Sequence, residues 1–158
     1  IAGGVKELIH VGYAGGLQPE LVPGEIILTD GAFNDTAVAR LYGYDYDIIH
    51  SSKDLTNEIE EMITSAEILY KRGIHWTTDA GYRETWGQVT DYRDKGALCV
   101  EMEGVGLFTI ANYRKCVATG IYVVSDVYLE DDWKLGWEGN DIKRAVGAVI
   151  DMIIESIR

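Results

Sequence analysis

Val117-Ala118-Thr119-Gly120-Ile121-Tyr122-Val123-Val124-Ser125-Asp126 is the stretch on which the fold turns. Its apolar part, Val117 to Val124, is nearly continuous and rich in β-branched side chains. A run of that kind suits a strand buried on both faces. Shorter apolar runs accompany it at Leu8–Val11, at Glu25–Leu28 after Pro23-Gly24, and at Ala97–Val100. Between the runs, apolar residues recur at three- and four-residue steps. Leu55, Ile59, Met62, Ile63, Ala66, Leu69 and Tyr70 predict a helix that Gly73 stops. Val105, Phe108, Thr109 and Asn112 predict a second helix after Gly104. Ile142, Ala145, Val146, Val149, Ile153 and Ile157 predict a third, which Asp141 starts. Strands alternating with helices imply an α/β fold with a mixed, largely parallel central sheet flanked by helices, in one domain over residues 1–158.

Composition narrows the function. Hydrophobic residues make up 47% and charged residues 25%, which excludes a disordered chain. No apolar run approaches the ~20 residues that span a bilayer, so a membrane partner is not expected. The formal net charge is −12, and no basic stripe is available to neutralise phosphates, which argues against nucleic acid. A neutral small molecule, or an anion held by a local site, is left as the ligand. Cys99 and Cys116 sit in apolar stretches without metal-type spacing and read as reduced core thiols of a cytoplasmic protein. His10, His50 and His75 show no pairing that suggests a metal or a catalytic triad, so no metal is expected.

In open α/β sheets, ligands gather at the carboxyl ends of strands. Four places where an apolar run stops therefore carry the candidate chemistry: Gly12-Tyr13-Ala14-Gly15-Gly16, Thr77-Thr78-Asp79, Glu101-Met102-Glu103 and Ser125-Asp126. The glycine-rich segment would let backbone amides approach an anion or a ribose, or it only turns the chain. Glu101 and Glu103 lie two apart on an extended chain and so face the same way. Carboxylates accept hydrogen bonds, which suits a pair of sugar hydroxyls; alternatively both are solvated or cap the following helix. Asp126 at the end of the most hydrophobic strand can serve as a proton donor, or as a turn or N-cap residue. Trp133 and Trp137, beside Glu130, Asp131 and Asp132, read as a lid or as plain surface.

Ile9-His10-Val11-Gly12-Tyr13-Ala14-Gly15-Gly16-Leu17 and Pro23-Gly24-Glu25-Ile26-Ile27 resemble the middle of purine and uridine phosphorylases. So do Thr77-Thr78-Asp79-Ala80-Gly81-Tyr82-Arg83-Glu84-Thr85, Val100-Glu101-Met102-Glu103-Gly104 and Val124-Ser125-Asp126, in the family's order. The resemblance implies a nucleoside phosphorylase, purine more than uridine, with phosphate as co-substrate and no other cofactor. It implies Asp126 as the acid that protonates the leaving base, Glu103 on the ribose hydroxyls, Met102 against the sugar, and Glu101 assisting. Tyr82 falls in the segment lining the base pocket, and Gly12 with Tyr13 in the segment nearest phosphate and ribose. Family members also begin with strands that carry a glycine-rich phosphate loop and a histidine lent to a neighbouring subunit. A homo-oligomer is therefore implied, and this segment is expected to hold roughly two-thirds of the fold, with an exposed sheet edge.

Three departures from the family pattern blur the assignment. The phosphate-binding arginine and serine or threonine are replaced by His10 and Tyr13. Gly81 stands where a base-stacking phenylalanine is expected, and the glutamine–arginine pair that reads uracil has no match. Arginine offers a rigid fork of two parallel hydrogen bonds to an oxyanion, which histidine does not reproduce. A nucleosidase of the same superfamily, acting on methylthioadenosine or adenosylhomocysteine with water, and a non-catalytic storage or binding relative therefore stay open.

Overall fold

The computed structural model describes residues 3–130, 133–136 and 139–156. Its strands are β1 (Glu7–Gly16), β2 (Ile26–Asp35), β3 (Ile48–His50), β4 (Tyr70–Thr78), β5 (Cys99–Glu101), β6 (Val117–Tyr128) and β7 (Trp133–Leu135). The helices are α1 (Val38–Leu41), α2 (Lys53–Ser65), α3 (Trp86–Asp94), α4 (Gly104–Tyr113) and α5 (Asn140–Ser156). The sheet order is β3-β2-β4-β5-β1-β6-β7, and a further pairing of β2 with β6 curls the middle of the sheet into a closed ring. The long ladders β1–β6 and β2–β4 are parallel. They run in opposite senses, because β1 meets β5 and β2 meets β6 antiparallel.

Burial explains why β6 reads as it does: Ala118 to Val127 are all buried. β6 has β1 on one side and β2 on the other, and α2 and α5 pack Leu55, Ile59, Ile63, Ile142, Val149 and Met152 onto one face. Helix α4 brings Val105, Phe108 and Ala111 against Ala32, Ile49 and Ala118 on another flank. β1 is bonded to β5 only through Gly15 and Gly16; among the described residues, Glu7 to Ala14 have a ladder partner on the β6 side alone.

Several boundaries differ from the sequence expectation. Gly12 to Gly16 is the second half of β1, not a turn, and Asp126 lies inside β6, which continues to Tyr128. Helix α2 stops at Ser65, well before Gly73. Glu67 takes a left-handed φ of 54°, and the Ile68 amide closes back on the Ile63 carbonyl. That reversal releases Tyr70 to pair with Ile26 at the start of β4. Helix α3 has no apolar rhythm, yet Thr85 and Gln88 form a reciprocal capping box that starts it. Asp131, Asp132, Trp137 and Ile157 lie outside the described residues.

Candidate active site

The register across the sheet assembles the site. Gly15 is paired with Asp126 on one side and with Val100 on the other, so Glu101 follows one residue beyond the same row. A register shift between Ala14 and Gly15 skips Ser125 and presses Asp126 against β1. Close approach explains the glycine: a Cβ at Gly15 would lie 2.7 Å from Tyr128 Cε2 and 3.5 Å from Asp126 Oδ2. Asp126 is buried, and the Ser125 hydroxyl donates to its Oδ1 at 2.5 Å.

Tyr128 extends the site away from Asp126. Its hydroxyl donates to Glu84 Oε2 at 2.8 Å. Burial pushes the Glu84 carboxyl up, the Tyr128 hydrogen bond works against that, and the nearby Asp126 charge adds to the rise. Burial and Glu84 push the Tyr128 phenol up in turn. The far oxygen of Glu84 and the Met102 sulfur both approach Gly81, at 3.4 and 3.6 Å from where its Cβ would stand. Asp126, Gly15, Tyr128, Glu84, Gly81 and Met102 thus form one continuous set of neighbours. Glu84 belongs to the Thr77–Thr85 segment, whereas Tyr128 carries no sequence signal, because only the register shift brings it over Gly15.

The two carboxylates of Glu101-Met102-Glu103 part company. Met102 and Glu103 are exposed, whereas the Glu101 side chain is only 1% exposed. Glu101 Oε1 lies 3.0 Å from His75 Nε2 and accepts from the Thr77 hydroxyl at 2.5 Å. Its Oε2 accepts from the amides of Glu103 and Gly104 at 2.9 and 2.8 Å. The oxygens of Glu101 turn inward and tether the start of α4. Helix N-terminal amides have no intrahelical acceptor, which is why a carboxylate settles there. Gly104 is obligatory for this packing, since a Cβ would stand 2.6 Å from His75 Nε2 and 3.0 Å from Glu101 Oε1.

The remaining expected residues are spread out. Tyr82 is fully exposed on a short 3₁₀ turn, Gly81–Arg83. Gly12 lies on β1 between His10 and Ala14, and Tyr13 is about half exposed at 48%. The ring of His10 turns toward Tyr122, with Nδ1 3.3 Å from the hydroxyl. A groove of about 440 Å³ opens where β2 and β4 end, lined by Asn34, Arg40, Asp35, Asp45, Asp47 and Asp79. Its lining includes neither Asp126 nor Glu103, and four carboxylates against one guanidinium make it the wrong sign for phosphate. No group of three or more metal-ligating side chains is gathered among the described residues.

A family model described as the phosphorylase superfamily matches residues 1–155. The chain belongs to that superfamily. Among relatives of this superfamily member, the DeoD-type purine nucleoside phosphorylase of Exiguobacterium sibiricum is 34% identical over 125 residues, covering 78% of this chain and 53% of the relative. That of Bacillus cytotoxicus is 32% identical over 124 residues, covering 78% and 53%. The chain thus spans about half the length of the curated relatives it matches. Of solved structures, Toxoplasma gondii purine nucleoside phosphorylase in complex with immucillin-H superposes with a TM-score of 0.86 at 19% identity, over 97% of this chain and 63% of that one. The P. knowlesi homologue of P. falciparum PNP gives 0.82 at 22% identity, over 98% and 62%. At such identities the superpositions show that this phosphorylase-superfamily chain shares the fold.

Proposed function

We propose that the protein is a purine nucleoside phosphorylase, which cleaves the bond between base and ribose with phosphate to give free base and ribose 1-phosphate. The observation that carries the reading is Asp126, buried in β6 beside Gly15 and next to a contiguous set that ends at the exposed Met102. A base leaving as an anion is a poor leaving group, so a positioned acid is the main lever the protein holds. Glu103 is the acceptor offered to the ribose hydroxyls, and Met102 packs on the sugar. The DeoD-type names of the relatives support a purine substrate. Under this reading the protein is a cytoplasmic homo-oligomer, in keeping with two buried free thiols, and residues 1–158 belong to a single phosphorylase-type domain of which they make up roughly two-thirds.

The ribose assignment has a direct test. Glu103→Gln replaces an acceptor with a mixed donor–acceptor and leaves a sugar hydroxyl poorly paired, at a cost of roughly 1–3 kcal/mol in kcat/KM. The loss shrinks on substrates that lack the hydroxyl Glu103 contacts. Equal losses on ribosides and on both 2′- and 3′-deoxyribosides would refute the role.

One observation favours hydrolysis as a second reading. His10 stands where family phosphorylases carry arginine, and its Nδ1 is engaged by Tyr122. Phosphate is then held by fewer charged donors than an arginine fork supplies. The expected result is half-saturation only at high phosphate. Base release from inosine, adenosine, uridine and methylthioadenosine across a phosphate titration checks it. Saturation at low phosphate removes the weak-site expectation; full-rate release without phosphate assigns the protein to the nucleosidases.

A further inference from the structure

A polar cluster fills the interior of the curled sheet. His75 on β4 is fully buried, with Nε2 3.0 Å from Glu101 Oε1 on β5 and Nδ1 2.6 Å from Thr29 Oγ1 on β2. Tyr122 on β6 is buried against it, ring centroids 4.8 Å apart, and Phe108 on α4 closes the other side at 6.2 Å. Stability does not demand such a cluster, because well-packed apolar side chains of the same volume are often as stable. Room for it is nonetheless built in, since any side chain at Gly104 would collide with both His75 and Glu101.

The outward end of the cluster shows what it acts on. Glu101 Oε2 holds the amides of Glu103 and Gly104, so the backbone bearing Met102 and Glu103 is tied to the same carboxylate that His75 grips from inside. We propose that His75 is a positioning residue for the ribose end of the site: it orients Glu101, and Glu101 fixes the backbone that aims Met102 and Glu103. The inference rests on the reading of Glu103 as the ribose acceptor. It assigns a role to a histidine that is fully buried behind Glu101.

Two substitutions separate the nitrogens of His75. His75→Asn retains a polar group near Nδ1 and its Thr29 contact but is too short to reach Glu101. His75→Gln extends an amide N–H toward the position of Nε2. His75→Asn is expected to raise KM for ribosides about tenfold or more, with kcat changed less, and His75→Gln to recover most of the loss. Adding Glu103→Gln to His75→Asn is expected to cause little further loss, since both act through one contact, whereas independent structural damage would add. Hydrogen exchange at the Glu103 and Gly104 amides is expected to accelerate about tenfold or more in His75→Asn, while β6 keeps its protection.

Additive losses, or unchanged exchange at these two amides, overturn the proposal. Should His75→Asn fail to fold, Thr77→Val removes the other donor to the same Glu101 oxygen, and the same cycle and exchange measurement decide. If the wild type cleaves no nucleoside while the two amides still respond to His75→Asn and not to His75→Gln, the positioning of the loop holds and the nucleoside reading falls.

Discussion

Asp126→Asn lowers turnover of purine nucleosides by about 10²-fold or more, with a smaller change in KM. The substitution keeps the shape of a buried side chain whose Oδ1 already accepts the Ser125 hydroxyl, so the fold is little disturbed. Under the proposed reading it removes the acid that hands a proton to the leaving base. The loss should therefore nearly vanish on a nucleoside whose purine is already cationic through N7-alkylation, because that base departs neutral without an acid. Comparing kcat on inosine and on its N7-methyl derivative checks this. Equal losses on both would remove Asp126 from the acid's role and leave it a structural residue of β6.

Glu101→Ala is expected to destabilise the protein by about 3–5 kcal/mol, because it strips one partner from a buried pair and leaves His75 without its acceptor. The Glu103 and Gly104 amides lose theirs at the same time. Glu101→Gln keeps one carbonyl oxygen and should cost less. A pH dependence accompanies it. Burial alone pushes the Glu101 carboxyl up, but the hydrogen bond and charge of His75, the Thr77 hydroxyl and the Glu103 amide outweigh it and hold the group below its ordinary 4.5. A folded-state value below the unfolded one means that this stability is fully present above about pH 4.5 and drains away as pH falls through the folded value. Urea unfolding of wild type and Glu101→Gln from pH 7 to pH 3 reads the effect: the gap between them narrows on acidification. A gap that stays constant would show that the carboxylate is not held by its partners.

The candidate segments are readable because each is a short run of particular residue types. Val100 to Gly104 and Val124 to Asp126 sit in the sequence as they sit in the structure, at the junctions of strand and helix or within the buried strand. Their contexts were less readable. Gly12 to Gly16 looked like a turn because glycine is the residue of turns; here it makes room for the close approach of β6. The α2 rhythm ran on through Leu69 and Tyr70 because helical spacing was the only local information, and the left-handed Glu67 that ends the helix has no glycine to announce it.

What the sequence determined by itself is the class of the fold and the superfamily to which it belongs. A β-branched run too continuous for a half-wet strand demands cover on both faces. Which of two neighbouring carboxylates faces out was beyond it. Glu101 and Glu103 share a strand parity, and local geometry treats them alike. Only the tertiary structure separates them, by placing His75 and Thr77 of β4 beside Glu101 and starting α4 one residue after Glu103. Those partners come from residues 24 and 26 positions away in the chain, so no local pattern could carry the distinction.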